Sequence, residues 1–184
     1  MRINKIICIT FFFILAVRTT GYAQMGFTVY PTEFQIKAKY LYNFTRYVNW
    51  PKVAFKDSLS PFIIGIIGED PFGTELEKTV EGKKIKNRTF TVKRFVSVDD
   101  LEYCHIRYIG IADRESQLQI LRKIRRSSIL TVGNRANFTQ DGGIINFVEK
   151  KEKIRFEINT KIARESGLKI STKLLKMADI VESL

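Results

Sequence analysis

The stretch FIIGIIG, at residues 62–68, places seven residues without a polar side chain in succession and ends in glycine. A strand of this kind is apolar on both faces, which is typical of a parallel sheet covered by helices on each side. Further β-rich segments follow at TFTVKRF (89–95), CHIRYIGI (104–111) and SILTVG (128–133), and a helical pattern, SQLQILRKIRR (116–126), lies between the last two. This alternation predicts parallel βαβ units with right-handed crossovers.

The pattern changes in the last third of the chain. GGIINFVEKKEKIRFEIN (142–159) holds two alternating segments around a charged turn, which predicts an antiparallel hairpin. Asn159 is expected to cap a short helix at 160–165, and STKLLKMADIV (171–181) predicts a final amphipathic helix. The expected fold class is therefore α/β. It is a three-layer sandwich with a mostly parallel central sheet, helices on both faces and an added antiparallel hairpin near the C-terminus.

A helix is also predicted before the first strand, within PTEFQIKAKYLYNFTRYVNWP (31–51). Thr32 is a suitable N-cap, and Trp50 precedes a proline, which disfavours the helical conformation, so the helix should end near Asn49. An apolar stripe at helical spacing should face the core, and it consists of Phe34, Ala38, Leu41, Phe44 and Val48.

The N-terminal segment has the pattern of a secretory signal peptide. Arg2 and Lys5 precede an apolar run at residues 6–17, and the small residues Gly21 and Ala23 follow. Such a run is shorter than the roughly 20 residues that cross a bilayer. We expect cleavage after Ala23, which leaves a signal peptide at 1–23 and one domain at 24–184; an uncleaved anchor is the alternative. The mature protein would be exported from the cytoplasm.

Charge and composition argue against several classes of function. The formal net charge of +12 falls to +9 once the three basic residues of the predicted signal peptide are removed. The remaining basic residues form scattered clusters, which favour solvated faces or an anionic partner or membrane surface over nucleic acid. Neither a G-x-S-x-G motif nor a phosphate-binding glycine motif is present.

Cys104 and His105 are adjacent and would be the only cysteine and histidine of the mature chain. Strand alternation predicts that their side chains point to opposite faces, with Cys104 on the side of Ile106 and Tyr108. A thiolate–imidazole pair is therefore not expected, and two such residues are too few for a structural zinc site. We expect a buried thiol and predict neither an enzyme, a metal site nor a cofactor.

The first helix instead carries a candidate protein-binding face. Exposed aromatic side chains beside arginine are typical of interface hot spots, although the same rings could simply close the edge of the core. Lysines on the polar side of the final helix extend the candidate set. The partner-binding residues predicted on this basis are Tyr42, Arg46, Tyr47, Trp50, Lys173 and Lys176.

Several segments in this order resemble the YfiR/HmsC family. They are KAKYLYNFTRYVNWP, FIIGIIGEDPFG, CHIRYIGIAD, ILTVG and the long segment FTQDGGIINFVEKKEKIRFEINTKIARESGLKISTKLLKMA. The resemblance implies an α/β sandwich and a periplasmic regulator without enzymatic activity. Such a regulator represses an inner-membrane diguanylate cyclase, so that its release raises cyclic di-GMP and promotes biofilm formation.

The resemblance also implies partners and one departure. An outer-membrane lipoprotein can sequester the repressor in some systems, and related domains accompany histidine kinases. Apart from the resemblance, the sequence leaves the oligomeric state open, with a homodimer among the alternatives. Better-known members carry cysteine pairs used in redox sensing. Here only Cys104 matches, so its redox role would need an intermolecular bond. The rival hypothesis is a periplasmic small-molecule binding module that feeds a histidine kinase or transporter, with its ligand at the carboxyl ends of the strands.

Overall fold

The computed structural model describes residues 31–181. The predicted signal peptide at 1–23 lies outside the described residues. The helices are α1 Glu33–Tyr47, α2 Glu75–Val80, α3 Arg114–Lys123, α4 Thr160–Glu165 and α5 Thr172–Leu175. The strands are β1 Val48–Asn49, β2 Phe62–Gly68, β3 Phe90–Phe95, β4 Ile106–Gly110, β5 Leu130–Gly133, β6 Ile145–Lys150, β7 Lys153–Asn159, β8 Lys169–Ile170 and β9 Asp179–Val181.

A seven-stranded sheet with the order β3-β2-β4-β5-β6-β7-β9 forms the centre of the fold. Its neighbouring strands run parallel, apart from the β6–β7 hairpin, which is antiparallel. A separate two-stranded sheet joins β1 to β8 in antiparallel fashion. The predicted α/β class with a mostly parallel sheet is confirmed.

Helices cover both faces of this sheet because its central strands are apolar on both sides. Ile64 and Ile66 of β2 lie in the cluster that includes Ala38 of α1 and Leu76 of α2. Ile67 points the other way, into a second cluster with Ile120 of α3. The alternation along FIIGIIG therefore produces the three layers.

The first helix begins where the sequence predicts. The Thr32 hydroxyl accepts a hydrogen bond from the backbone N–H of Gln35. The side-chain oxygen of Gln35 in turn accepts one from the backbone N–H of Thr32, which completes a capping box. The helix ends at Tyr47 because Val48 is already extended and pairs with Ile170. One member of the predicted stripe is wrong, since Phe34 lies in the first turn and is 46% exposed.

The predicted final helix is also wrong beyond its first turn. Ser171 caps α5, which ends at Leu175, and the chain then extends into β9. Ile180 pairs with Ile158, so β9 supplies hydrogen bonds to β7 that an edge strand would lack. Among residues 31–181, no helix has the length and apolar character needed to cross a membrane.

Candidate functional site

His105 is a buried structural residue. Its Nδ1 accepts the backbone N–H of Ile63 at 3.0 Å, which places the ring proton on Nε2, and Nε2 donates to the carbonyl of Ala54 at 3.0 Å. Burial away from water lowers the pKa of His105 to about 4. The imidazole is therefore neutral at pH 7 and fastens the segment after α1 to the start of β2.

Cys104 has different neighbours from those predicted. Its fully buried side chain lies with Ile109 on the α3 side of the sheet, whereas Ile106 and Tyr108 lie on the other side. The predicted face of Cys104 is wrong because β4 begins only at Ile106 and the alternation does not extend back to residue 104. Arg107 Nε donates to Cys104 Sγ at 3.3 Å, and burial raises the pKa of the thiol.

Neither residue assembles a catalytic or metal centre with the other. Both ring nitrogens of His105 form hydrogen bonds with backbone groups, and the Cys104 sulfur accepts a hydrogen bond from the guanidinium of Arg107. Among residues 31–181, no group of three His, Cys, Asp or Glu side chains could hold a metal ion. The described contacts of Cys104 and His105 are packing contacts and hydrogen bonds within the fold.

The predicted interface residues of α1 divide into two environments. Tyr42 packs against Phe90 of β3, with ring centroids 5.5 Å apart, and Lys83 Nζ lies 4.4 Å from its ring centroid. Tyr47 instead faces α5, where Lys173 Nζ lies 5.5 Å from its ring centroid. The structure thus brings Tyr47 and Lys173 together and gives Tyr42 a separate set of contacts.

The backbone fixes the second of these contacts. Ser171, the N-cap of α5, donates its backbone N–H to the carbonyl of Tyr47 at 2.8 Å, directly beside the β1–β8 pairing. Arg46 and Lys176 are exposed, at the last turn of α1 and at the end of α5. Four of the six predicted residues therefore lie where the ends of these two helices meet or at their exposed ends: Arg46, Tyr47, Lys173 and Lys176.

Trp50 is partly buried and belongs to the core boundary. Its Nε1 donates to the carbonyl of His105 at 3.2 Å, and its ring meets Phe62 edge-on at a centroid distance of 5.5 Å. The alternative considered from the sequence, that some of these rings close the edge of the core, describes the contacts of Trp50. Its exposed part lines a pocket.

This pocket, of about 500 Å³, lies at the amino ends of β2 and β3. Aromatic walls come from Trp50, Phe55 and Phe62, and charged side chains from Lys52, Asp57, Lys86 and Arg88 stand around them. Sequence reasoning did not find it, because its walls come from two segments, 45–62 and 85–88. The sequence feature that contributes to it is the basic cluster after Gly82, a pattern that is equally typical of a solvated turn.

A second groove, of about 620 Å³, lies between α3, α4 and the loop at 140–142. It is more polar, and its arginines are ion-paired: Arg114 Nε donates to Asp141 at 3.0 Å, and Arg125 donates to Glu165 at 2.9 Å. The positive charges of Arg114 and Arg125 are therefore neutralised by carboxylates of the same groove.

These contacts describe an α/β domain whose distinctive features are surfaces and pockets suited to binding. A family model described as YfiR/HmsC-like matches residues 34–179, and the chain belongs to this family of regulatory proteins. No curated protein matches the chain.

One solved structure that matches is described as the ABC domain in complex with L-Trp from Streptococcus pneumonia. The two chains share 15% identity with a TM-score of 0.47, over 65% of this chain and 55% of that one. This chain thus spans about half the length of that structure, and a likeness this weak carries no argument about function.

Proposed function

We propose that the protein is a non-enzymatic periplasmic regulator that binds and represses an inner-membrane diguanylate cyclase, and thereby limits cyclic di-GMP and biofilm formation. The family match over residues 34–179 carries this proposal. The predicted signal peptide supports the location. The described contacts of Cys104 and His105 support a role in binding over one in catalysis.

The partner would dock where α1 and α5 meet. Tyr47 offers a ring already in contact with Lys173, and Arg46 and Lys176 add exposed positive charge at the two helix ends. Aromatic rings beside long cationic side chains are favourable at interface centres. Within residues 31–181, these three cations form no ion pair, so their charge is available to an acidic partner surface.

Repression requires that the protein bind the inactive state of the cyclase more tightly than the active state, since only differential affinity shifts a conformational equilibrium. The cyclase would be released when a competing partner, such as an outer-membrane lipoprotein, binds the regulator in its place. A histidine kinase in place of the cyclase would use the same surface with a different output.

The test is the cellular level of cyclic di-GMP in a strain that lacks the chain, compared with its parent. We expect a rise that complementation with the wild-type gene reverses. An unchanged level under conditions in which the parent expresses the protein would overturn the assignment to a diguanylate cyclase.

Complementation with charge-reversal variants tests the docking site in the same strain. Lys173→Glu combined with Lys176→Glu should leave cyclic di-GMP elevated, because both side chains are exposed and their reversal would repel an acidic partner. Lys151→Glu with Lys153→Glu, at the exposed turn of the β6–β7 hairpin, is the matched control and should restore repression. Equal repression by both double variants, at equal protein levels, would remove the α1–α5 surface from the proposal.

A further inference from the structure

The pocket at the amino ends of β2 and β3 combines an aromatic interior with a positive rim. Phe62, the first residue of β2, is buried beneath it, and Phe55 meets Phe62 edge-on with centroids 5.2 Å apart. Lys52, Lys86 and Arg88 stand around these rings. An occupant that satisfies both parts must have an apolar body and a negative charge.

The positive charge of the rim is not neutralised within the described part of the chain. Lys52, Lys86 and Arg88 form no ion pair among residues 31–181. The nearby carboxylate of Asp57 accepts two backbone N–H groups, from Leu59 and Ser60, each at 2.7 Å. These bonds lower the pKa of Asp57, which remains one negative charge against three positive ones.

The rim residues are held in place by the local backbone. Lys86 and Asn87 have positive φ angles of 50° and 66°, and Ile85 and Arg88 exchange two backbone hydrogen bonds across them. Arg88 lies 3.9 Å from the Phe55 ring centroid and donates to the carbonyl of Ser60 at 2.7 Å. This tight turn holds Lys86 and Arg88 at the lining of the pocket, which Lys52 also lines.

The loop that forms the other wall carries exposed apolar side chains. Val53 is 90% exposed and Leu59 is 71% exposed, and they flank the lining residues Phe55, Asp57 and Ser58. Lys56 on the same loop is exposed as well. Apolar side chains projecting from a basic surface are typical of proteins that bind the surface of an anionic membrane.

We propose that this pocket and the loop at 51–60 form a docking site for anionic phospholipid at a membrane surface. The phosphate would lie against Lys52, Lys86 and Arg88, while Val53 and Leu59 enter the interfacial region. The aromatic walls would cover the apolar part of the lipid next to the headgroup. A soluble phosphate would use the cations alone and leave these walls in water. The site does not depend on which signalling protein the chain regulates.

The experiment is co-sedimentation of the protein, expressed from its full coding sequence, with phospholipid vesicles. The protein should bind vesicles of phosphatidylethanolamine and phosphatidylglycerol at least about tenfold more tightly than vesicles in which phosphatidylcholine replaces the phosphatidylglycerol. Added salt should weaken binding to the anionic vesicles. Equal binding to both kinds of vesicle would overturn the proposal.

Variants locate the site on the molecule. Lys52→Glu with Lys86→Glu should weaken binding by about tenfold or more, since each cation near an anionic surface contributes on the order of 1 kcal/mol. Lys151→Glu with Lys153→Glu changes the net charge equally and should bind like wild type. Val53→Ser with Leu59→Ser should weaken binding while the salt dependence persists. Equal loss in the two charge-reversed proteins would show a nonspecific effect of net charge and refute the site.

Calorimetry with glycerol 3-phosphate separates the two sources of phosphate. Weak or undetectable binding, together with vesicle binding, supports a lipid site. Binding of glycerol 3-phosphate without vesicle binding would replace the lipid with a soluble phosphate compound. No cyclase is present in these assays, so their result is independent of the cyclic di-GMP measurements.

Discussion

His105 connects segments that are far apart in the chain. Its ring joins Ile63 of β2 to Ala54, and its carbonyl accepts hydrogen bonds from Trp50 Nε1 and from the backbone N–H of Leu130. A positively charged ring could not keep the bond from Ile63, because a protonated Nδ1 has no lone pair to accept it. The stability of this region therefore depends on a neutral histidine.

This dependence predicts a loss of stability in acid. The folded pKa of about 4 lies below the ordinary value of 6.5, so the unfolded chain binds more protons between these values. The contribution of neutral His105 to the free energy of unfolding is therefore fully present above about pH 6.5 and is lost as the pH decreases toward 4. We expect the free energy of unfolding to fall by about 2 kcal/mol between pH 7 and pH 5, measured by chemical denaturation.

His105→Gln is the control for this measurement. Glutamine can donate and accept hydrogen bonds but does not titrate, and the carboxyl groups contribute to the pH dependence of both proteins. The wild-type protein should therefore lose more stability than the variant between pH 7 and pH 5. Identical losses would show that His105 does not supply the pH dependence.

Cys104 should be unreactive in the folded protein. Its side chain is fully buried and its pKa is raised, and both features suppress the thiolate that reacts with electrophiles. In a Cys8→Ser background, iodoacetamide labelling followed by mass spectrometry should modify Cys104 slowly in buffer and rapidly in denaturant. Rapid labelling under native conditions would contradict the buried thiol and would support an intermolecular redox role.

At the scale of helices and strands, local signals explain what the sequence could predict. Thr32 and Asn159 were both predicted as N-caps, and both accept the expected backbone N–H groups, because capping depends on a few neighbouring residues. The two-residue strands β1 and β8 are too short to show a pattern. The end of the chain was mispredicted because a strand at 179–181 forms only against β7, which is distant in sequence.

Asn159 should contribute more to stability than Thr32. Its Oδ1 caps α4 through Ile162 N–H at 3.0 Å, and its Nδ2 donates to the carbonyl of Thr139 at 2.9 Å inside the core. Asn159→Ala should lower the free energy of unfolding by about 2 to 3 kcal/mol, since a cap and a buried hydrogen bond are lost together. The exposed cap variant Thr32→Ala should cost about 1 kcal/mol. Denaturant titration of both variants decides this, and equal costs would contradict the described environment of Asn159.

At the scale of the whole molecule, the two proposed surfaces start from one short segment. Tyr47 contacts α5, while Val48, Asn49 and Trp50 line the pocket at the amino ends of the strands. A protein that docks on a membrane through this pocket would therefore hold its α1–α5 surface beside a partner embedded in that membrane. Binding to the lipid and to the partner would then reinforce each other.

The sequence could predict the fold class but not the pocket, and the partner-binding surface stays a prediction. Tyr47 and Lys173 were both chosen from composition and spacing, and the structure places them in contact. The pocket requires the turn at 85–88 to meet the loop after α1, a pairing of distant segments that no local pattern encodes. Trp50, predicted as part of the binding face, is held largely by Phe62 and by the carbonyl of His105.

The most direct test of the proposed repression, in which the protein acts on a cyclase from its periplasmic side, uses spheroplasts of a strain that lacks the chain. Purified protein added to the medium reaches the outer face of the inner membrane, and cyclic di-GMP is then measured in the cells. We predict that the wild-type protein lowers cyclic di-GMP and that the Lys173→Glu, Lys176→Glu protein does so far less. Unchanged cyclic di-GMP after addition of folded wild-type protein would contradict the account.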